Sequence, residues 1–230
     1  MARGILLAGN ESLLFSAAAG EADKRVEQYC AAAIRGTAQS AAESGKKIPL
    51  TWNPGSSISG RTLLLSAENQ LGKLSDILLI CSPPALYCPV ESLVPAEIEN
   101  HINTQIKGWF FLIRETAIYL RAKGGGSLGL VIAESGPPGG ESISDLPGAA
   151  ASAAFHALAQ ELIASAASQP FLTMGFTFSE TSSSFRGSSS ALRDQEKEFA
   201  AWMFKILDEG GRKKSGKWHR FGKTGLFRKN

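Results

Sequence analysis

Apolar and polar positions repeat along this chain in two periods, one near two residues and one near three and a half. Arg3 to Ala8 is a short apolar run closed by Gly9-Asn10, which predicts a first strand ending in a turn. From Ala17 to Ser44 the chain is rich in Ala, Glu, Gln, Lys and Arg. Val26, Cys30 and Ala33 (or Ile34) there share one face at helical spacing. That pattern predicts a helix stopped by Gly45-Lys46-Lys47, and it leaves open whether a second strand follows the first helix. Ile48 to Trp52 predicts another strand, and Asn53-Pro54-Gly55 carries turn chemistry. Arg61 to Leu71 predicts a helix. Asp76 to Cys81 is an unbroken apolar run of the kind buried parallel strands show, ended by Ser82-Pro83-Pro84.

The second half repeats the alternation at larger scale. Pro95 to Lys123 predicts one long helix with proline at its start, stopped by Gly124-Gly125-Gly126. A strand over Leu128 to Ala133, a Gly/Pro loop and an alanine-rich helix at about 149–167 follow. Pro170 precedes a strand over Phe171 to Phe178, residues 181–190 are low in complexity, and a last helix runs from Leu192 to Asp208. Strands alternating with helices predict an α/β fold, a Rossmann-like doubly wound parallel sheet in three layers and a single domain.

Composition narrows the class. A chain of 230 residues, 43% apolar and 20% charged, suits one soluble-type domain with a sizeable core. No apolar run approaches the roughly 18 residues that a membrane span needs. Asn10 and Glu11 interrupt the N-terminal apolar patch too early for a signal peptide, so a cytoplasmic location is expected. Three cysteines without a Cys-x-x-Cys indicate neither a disulfide framework nor a zinc site, and the scattered His101, His156 and His219 suggest no metal centre.

The net charge of +3 conceals an asymmetry. Residues 212–230 carry eight Lys or Arg and no acid, which leaves 16 basic and 21 acidic groups on the other 211 residues. The expected organisation is therefore a domain over 1–211 followed by a basic tail over 212–230. Such a tail could bind phosphate or nucleic acid. No aromatic-basic recognition motif accompanies it, so a nucleic-acid partner is not expected.

Over residues 3–209 the order and spacing resemble the short-chain dehydrogenase/reductase family, most closely at 72–82, 100–135 and 148–163. Asp76-Ile77-Leu78-Leu79 is similar to the strand that ends there in Asn-Asn-Ala-Gly. Ile102-Asn103, followed by Gly108 and Phe111, is similar to the family's Asn-bearing helix. Ala150 to Leu158 is similar to the helix that opens with Tyr-x-x-x-Lys, and Ser215-Gly216-Lys217-Trp218 to a C-terminal turn common in the family.

The resemblance implies four catalytic roles: a proton-exchanging tyrosine, a lysine that lowers its pKa, a serine bonded to the reacting oxygen and an asparagine that anchors a water. Asn103 and Ser135 match two of those positions, whereas Gly148 and Ser152 stand where the tyrosine and lysine belong. No Tyr or Lys occurs between Gly124 and Glu196, so no shift of register recovers them. General acid–base groups supply roughly 10²–10⁴-fold of rate, and family-type carbonyl reduction is not expected without them.

The family's Thr-Gly-x-x-x-Gly-x-Gly cofactor loop aligns with Ala8 to Phe15 and keeps only Gly9. Leu13 and Phe15 are expected to occupy the phosphate space, and Glu11 to place a carboxylate near it. The Asn-Asn-Ala-Gly counterpart is Ile80-Cys81-Ser82-Pro83, and the Pro-Gly after the sixth strand appears as Phe178-Ser179. Gly9, Asn10 and Ser82 are what remains of a cofactor site. The expectation is no cofactor. NAD(P) belongs to the alternative, a divergent oxidoreductase using Ser135 and Asn103.

Two further motifs are set aside. Tyr119-Leu-Arg-Ala-Lys123 precedes Ser135 and lies near a helix end away from the carboxyl edge of the sheet, and Gly124 to Gly129 comes before a strand rather than after one. Asn10, Ser82, Asn103, Ser135, Ser179 and Glu180 should gather at the carboxyl edge, with Glu134, Asp145 and His156 as candidate acid–base groups. The helices Glu97 to Lys123 and Gly148 to Ala167 resemble the family's four-helix dimer interface, with Trp109, Phe110, Phe111 and Phe155 as anchors. The function expected is an oligomeric or regulatory, ligand-binding subunit, either a homo-oligomer (dimer or tetramer) or a heteromer with an active relative.

Overall fold

The structure is a computed structural model that describes residues 3–34, 46–134, 145–179, 189–211 and 213–221. Its centre is a seven-stranded sheet, β1 (Ile5–Asn10), β2 (Tyr29–Ile34), β3 (Lys47–Pro49), β4 (Asp76–Cys81), β5 (Ser127–Glu134), β6 (Leu172–Ser179) and β7 (Lys217–Arg220). The order is β3-β2-β1-β4-β5-β6-β7 and every neighbouring pair is parallel. Parallel strands need crossovers, which the helices supply: α1 (Leu13–Arg25), α2 (Ser59–Leu71), α3 (Pro95–His101), α4 (Gly108–Lys123), α5 (Leu146–Ala164) and α6 (Ser189–Glu209).

The unbroken apolar runs of β1 and β4 are explained by burial on both faces. Ile5, Leu7, Leu78 and Ile80 point to one layer with α1 and α6. Leu6, Ala8, Ile77 and Leu79 point to the other, with α2, α4 and α5. Ile77, Leu78, Leu79 and Ile80 have no exposed surface, and each such side chain contributes roughly 1.5–3 kcal/mol by leaving water. The doubly wound three-layer fold expected from the alternation is the one observed.

The expected helix over 17–44 is corrected. α1 ends where Val26 turns extended, with φ −134°, and Tyr29–Ile34 forms β2 between β1 and β3. Alanine favours a helix by only tenths of a kcal/mol per residue over most others, and a place in mid-sheet outweighs that. Cys30 and Ala32 face one layer, Tyr29 and Ala31 the other, a period of two where the sequence suggested 3.6. β3 is also shorter than the predicted 48–52, because Trp52 turns into the core.

The long helix over 95–123 is present in three pieces. Between α3 and α4 the backbone winds as a π-helix over Ile102–Lys107, a wider turn that changes which side chains face inward. The interface expectation for Trp109 and Phe155 is corrected as well. Both are fully buried, and Trp109 packs edge-on against Trp52 at 5.0 Å and Phe155 at 4.9 Å.

Residues 217–220, assigned above to the tail, form the last strand. Trp218 covers Gly175, where a Cβ would lie 2.4 Å from its ring, and stacks on His156 of α5 at 4.7 Å. His219 points to the opposite face and stacks on Phe176 at 5.4 Å. Among the described residues no helix is long and apolar enough to cross a membrane.

Candidate functional site

The strand order reverses between β1 and β4, so their carboxyl ends open the crevice in which doubly wound sheets bind ligands. Gly9 lies there so close to β4 that a Cβ would stand 2.3 Å from the Ile80 carbonyl oxygen. Strand packing alone therefore accounts for glycine at this position.

Asn10 is next, and it is 3% exposed. Its Nδ2 donates to Oε1 of Gln105 at 2.8 Å, and its Oδ1 accepts the Ser82 backbone N–H at 3.0 Å. A buried polar group left unpaired costs about 1–3 kcal/mol, so these two bonds hold β1, β4 and the π-helical turn to one another. The turn brings Gln105 inward, while Asn103, two residues earlier, is exposed. The amide that reaches the crevice is thus Gln105 and not the predicted Asn103.

The first turn of α1 is closed upon itself. Ser12 caps it, its hydroxyl accepting the Phe15 N–H at 3.1 Å, one of the donors a helix N-terminus would otherwise offer an anion. The expectation that Phe15 fills the phosphate space is corrected. Phe15 is packed into the core beneath α1 and Leu13 is 48% exposed. Glu11 is half-buried between β1 and α1, its backbone N–H donating to the Ile34 carbonyl at 3.3 Å.

Across the crevice lies the start of α5. The Asp145 carboxylate accepts two backbone N–H groups, that of Gly148 and that of Leu86, each at 3.0 Å. The His101 ring, through Nε2, bonds the Pro147 carbonyl at 2.8 Å. A Cβ at Gly148 would stand 2.0 Å from Asp145 Oδ2, so any larger residue there must displace the cap. Ser152, one turn on, is half-buried.

The remaining candidates divide by location. Asp145 serves as a helix cap, and His156 is held against Trp218 in α5 and β7. Glu134 and Ser179 are the paired last residues of β5 and β6, and Ser135 and Glu180 lie outside the described residues. Tyr119 and Lys123 sit at the far end of α4, where Lys123 pairs with Glu68 at 2.6 Å. Burial and the Glu68 carboxylate push the Tyr119 hydroxyl up to about 12, the reverse of an activated phenol. Burial likewise pushes the Cys30 thiol up to about 11 and raises Cys81 further, so neither is a nucleophile near neutrality.

Gln105 was missed by motif matching, yet a signal existed. Buried Trp109, Leu112, Ile113 and Thr116 define the inward face of α4, and Gln105 lies four residues before Trp109. A polar residue continuing an apolar helix face marks a buried hydrogen-bonding position.

Comparison of the whole structure with solved ones decides the fold type. A short-chain dehydrogenase from Mycobacterium smegmatis superposes with a TM-score of 0.70 at 15% identity, covering 97% of this chain and 93% of that one. An NADH-dependent reductase complexed with NAD gives 0.71 at 12% identity, covering 95% and 94%. The structure of ElxO with NADP bound gives 0.70 at 12%, covering 96% and 97%. This chain has the short-chain dehydrogenase/reductase fold. No protein-family model matches it, and no curated protein matches its sequence. The resemblance at residues 3–209 is thus carried by sheet order, helix placement and length. Within that fold the crevice retains Gly9, Asn10 and Ser82, and the residues around them bond to one another.

Proposed function

We propose that this protein is a short-chain dehydrogenase/reductase relative that does not carry out NAD(P)-dependent carbonyl reduction, and that it acts as an oligomeric or ligand-binding, regulatory subunit. The observation behind this is the start of α5. Gly148 stands in the resemblance's tyrosine position, and its N–H and the space of a Cβ are both taken by Asp145. Ser152 stands in the lysine position, and no Tyr or Lys occurs between Gly124 and Glu196. The Ser12 cap and the Asn10–Gln105–Ser82 bonds further reduce the groups free to hold a pyrophosphate. No resident cofactor is part of the proposal.

Association is supported by the outer faces of α4 and α5. Phe110 and Ile118 are 52% and 44% exposed, and Ala149, Ala150, Ala153 and Ala157 line the exposed side of α5. Aromatic anchors beside small residues suit close helix packing between subunits, as a homodimer or tetramer or with an active relative. Free Cys30 and Cys81 in the core accord with the reducing cytoplasm.

A second reading is a divergent NAD(P)-dependent oxidoreductase using Ser135 and Asn103. It is favoured by the nucleotides in two structures of the same fold, NAD in one and NADP in the other. Titration of the purified protein with NADH and with NADPH, followed by nicotinamide fluorescence and calorimetry, separates the two. Absence of binding at millimolar cofactor is expected, and micromolar affinity for either would replace the first reading by the second.

A further inference from the structure

α2 and α4 lie side by side in one layer, and their contact is uneven along its length. At the start of α2 the helices touch, since a Cβ at Gly60 would stand 3.3 Å from Leu112 Cα. Toward their far ends Lys123 joins Glu68 at 2.6 Å, so the two helices run in the same direction. Between these points they leave an outward groove of about 410 Å³, within the roughly 300–1,000 Å³ of small-molecule sites. Its middle is apolar: Leu64 is buried there, and Leu65 and Ile118 are 45% and 44% exposed.

Charge differs between the two ends of the groove. At one end Glu68 and Lys123 neutralise each other beside Tyr119, with Lys123 Nζ 5.5 Å from the ring centroid. At the other, Arg61 and Arg114 line the groove with a single carboxylate, Glu115. Arg61 has no ion-pair partner among the described residues. It lies in the first turn of α2, which holds no acid and has no side-chain cap, so the helix dipole adds to its positive charge. Glu115 is joined to Arg114. Adjacent helix residues diverge by about 100°, however, and a guanidinium carries several N–H donors, so Arg114 keeps donors for a second anion. From Arg61 to Glu68 the groove runs about 10 Å. We propose that it binds an anionic amphiphile, a carboxylate on an alkyl chain of about that length. The head group lies between Arg61 and Arg114, and the chain covers Leu64, Leu65 and Ile118. The groove shares no residue with the crevice, so this binding is independent of whether a dinucleotide binds. Ile118 also borders the association face, so a bound amphiphile and a second copy would compete for it.

Calorimetry of the full chain with octanoate tests this, with octanol as the uncharged control. Saturable binding of octanoate is expected, and octanol should bind about tenfold more weakly, as the loss of two exposed ion pairs predicts. Arg61→Gln with Arg114→Gln should weaken octanoate to the level of octanol, and Ile118→Glu should abolish binding, each with urea unfolding unchanged. Val94→Glu, a like change on exposed apolar surface elsewhere, should leave the affinity intact. Absence of saturable binding, equal affinity for octanoate and octanol, an unchanged Kd in the double arginine variant, or an equal loss in Val94→Glu overturns the proposal. Affinity that falls as protein concentration rises also overturns it, since a second copy would then be the occupant.

Discussion

Asn10 and Gln105, 95 residues apart in sequence, meet through a buried side-chain hydrogen bond of 2.8 Å at the point where the sheet reverses its order. The bond spans a strand end and a π-helical turn. It orients the Asn10 carbonyl toward the Ser82 N–H, so three separate segments share one polar connection.

Breaking that connection should be costly and cooperative. Asn10→Leu leaves the Gln105 amide and the Ser82 N–H without their partner, and a loss of about 1–3 kcal/mol is expected from urea unfolding. Gln105→Leu should cost a similar amount. A double-mutant cycle should give a coupling of about 0.5–3 kcal/mol, and additive losses would mean the two amides act separately.

Restoring the family residues should not restore the family chemistry. Gly148→Tyr with Ser152→Lys places a Cβ against the Asp145 carboxylate. It should destabilise the protein by about 1–2 kcal/mol, the worth of a helix cap. Oxidation of NADPH with small carbonyl substrates should stay at the level of a no-enzyme control. Turnover by this variant would show that the crevice still accepts cofactor.

An ion-pair network sets an acid limit to stability. Burial works to raise the pKa of Asp208, but hydrogen bonds from Arg3 and Arg25 outweigh it and hold the carboxyl below its ordinary 3.8. Glu21, bonded to Lys24 and Arg25, is likewise held below 4.5. A depressed carboxyl stabilises the fold above its unfolded pKa, and that contribution disappears as pH falls through the folded value. The stability difference between the native protein and Asp208→Asn should be steady above about pH 5 and shrink below pH 4. A difference independent of pH in acid unfolding curves would remove Asp208 from the network.

Thiol reactivity should single out one cysteine. Cys30 and Cys81 are buried with raised pKa values, while Cys88 is partly exposed after β4. Maleimide near neutral pH should label one thiol per native chain quickly, and Cys88→Ser should remove that phase. Fast labelling of a second thiol would show that the sheet opens.

Much of this was legible in the sequence because parallel strands buried on both faces leave an unmistakable apolar run. Asp76 to Cys81 and Leu128 to Ala133 are such runs, and the strands lie where the pattern puts them. Tyr29 to Ile34 was not legible, because three successive alanines suit a helix and only neighbours distant in sequence make them a strand. At the crevice, Gly9, Asn10 and Ser82 are adjacent as expected from their strand ends. Gln105 was legible only from its place four residues before Trp109 on the inward helix face, whereas the π-helical turn at 102–107 is announced by no local propensity. Gly148 could be recognised as a missing side chain, but not as a place already taken by Asp145.

β7 has a consequence for how this chain tolerates shortening. Its Trp218 and His219 seal the two faces of the sheet beyond β6. Without β7, β6 would be an unpaired edge beside the bare backbone of Gly175. Exposed strand edges recruit other strands. A chain that stops short of Lys217 would therefore keep β6 as a permanent open edge, the state in which this fold is most open to mispairing.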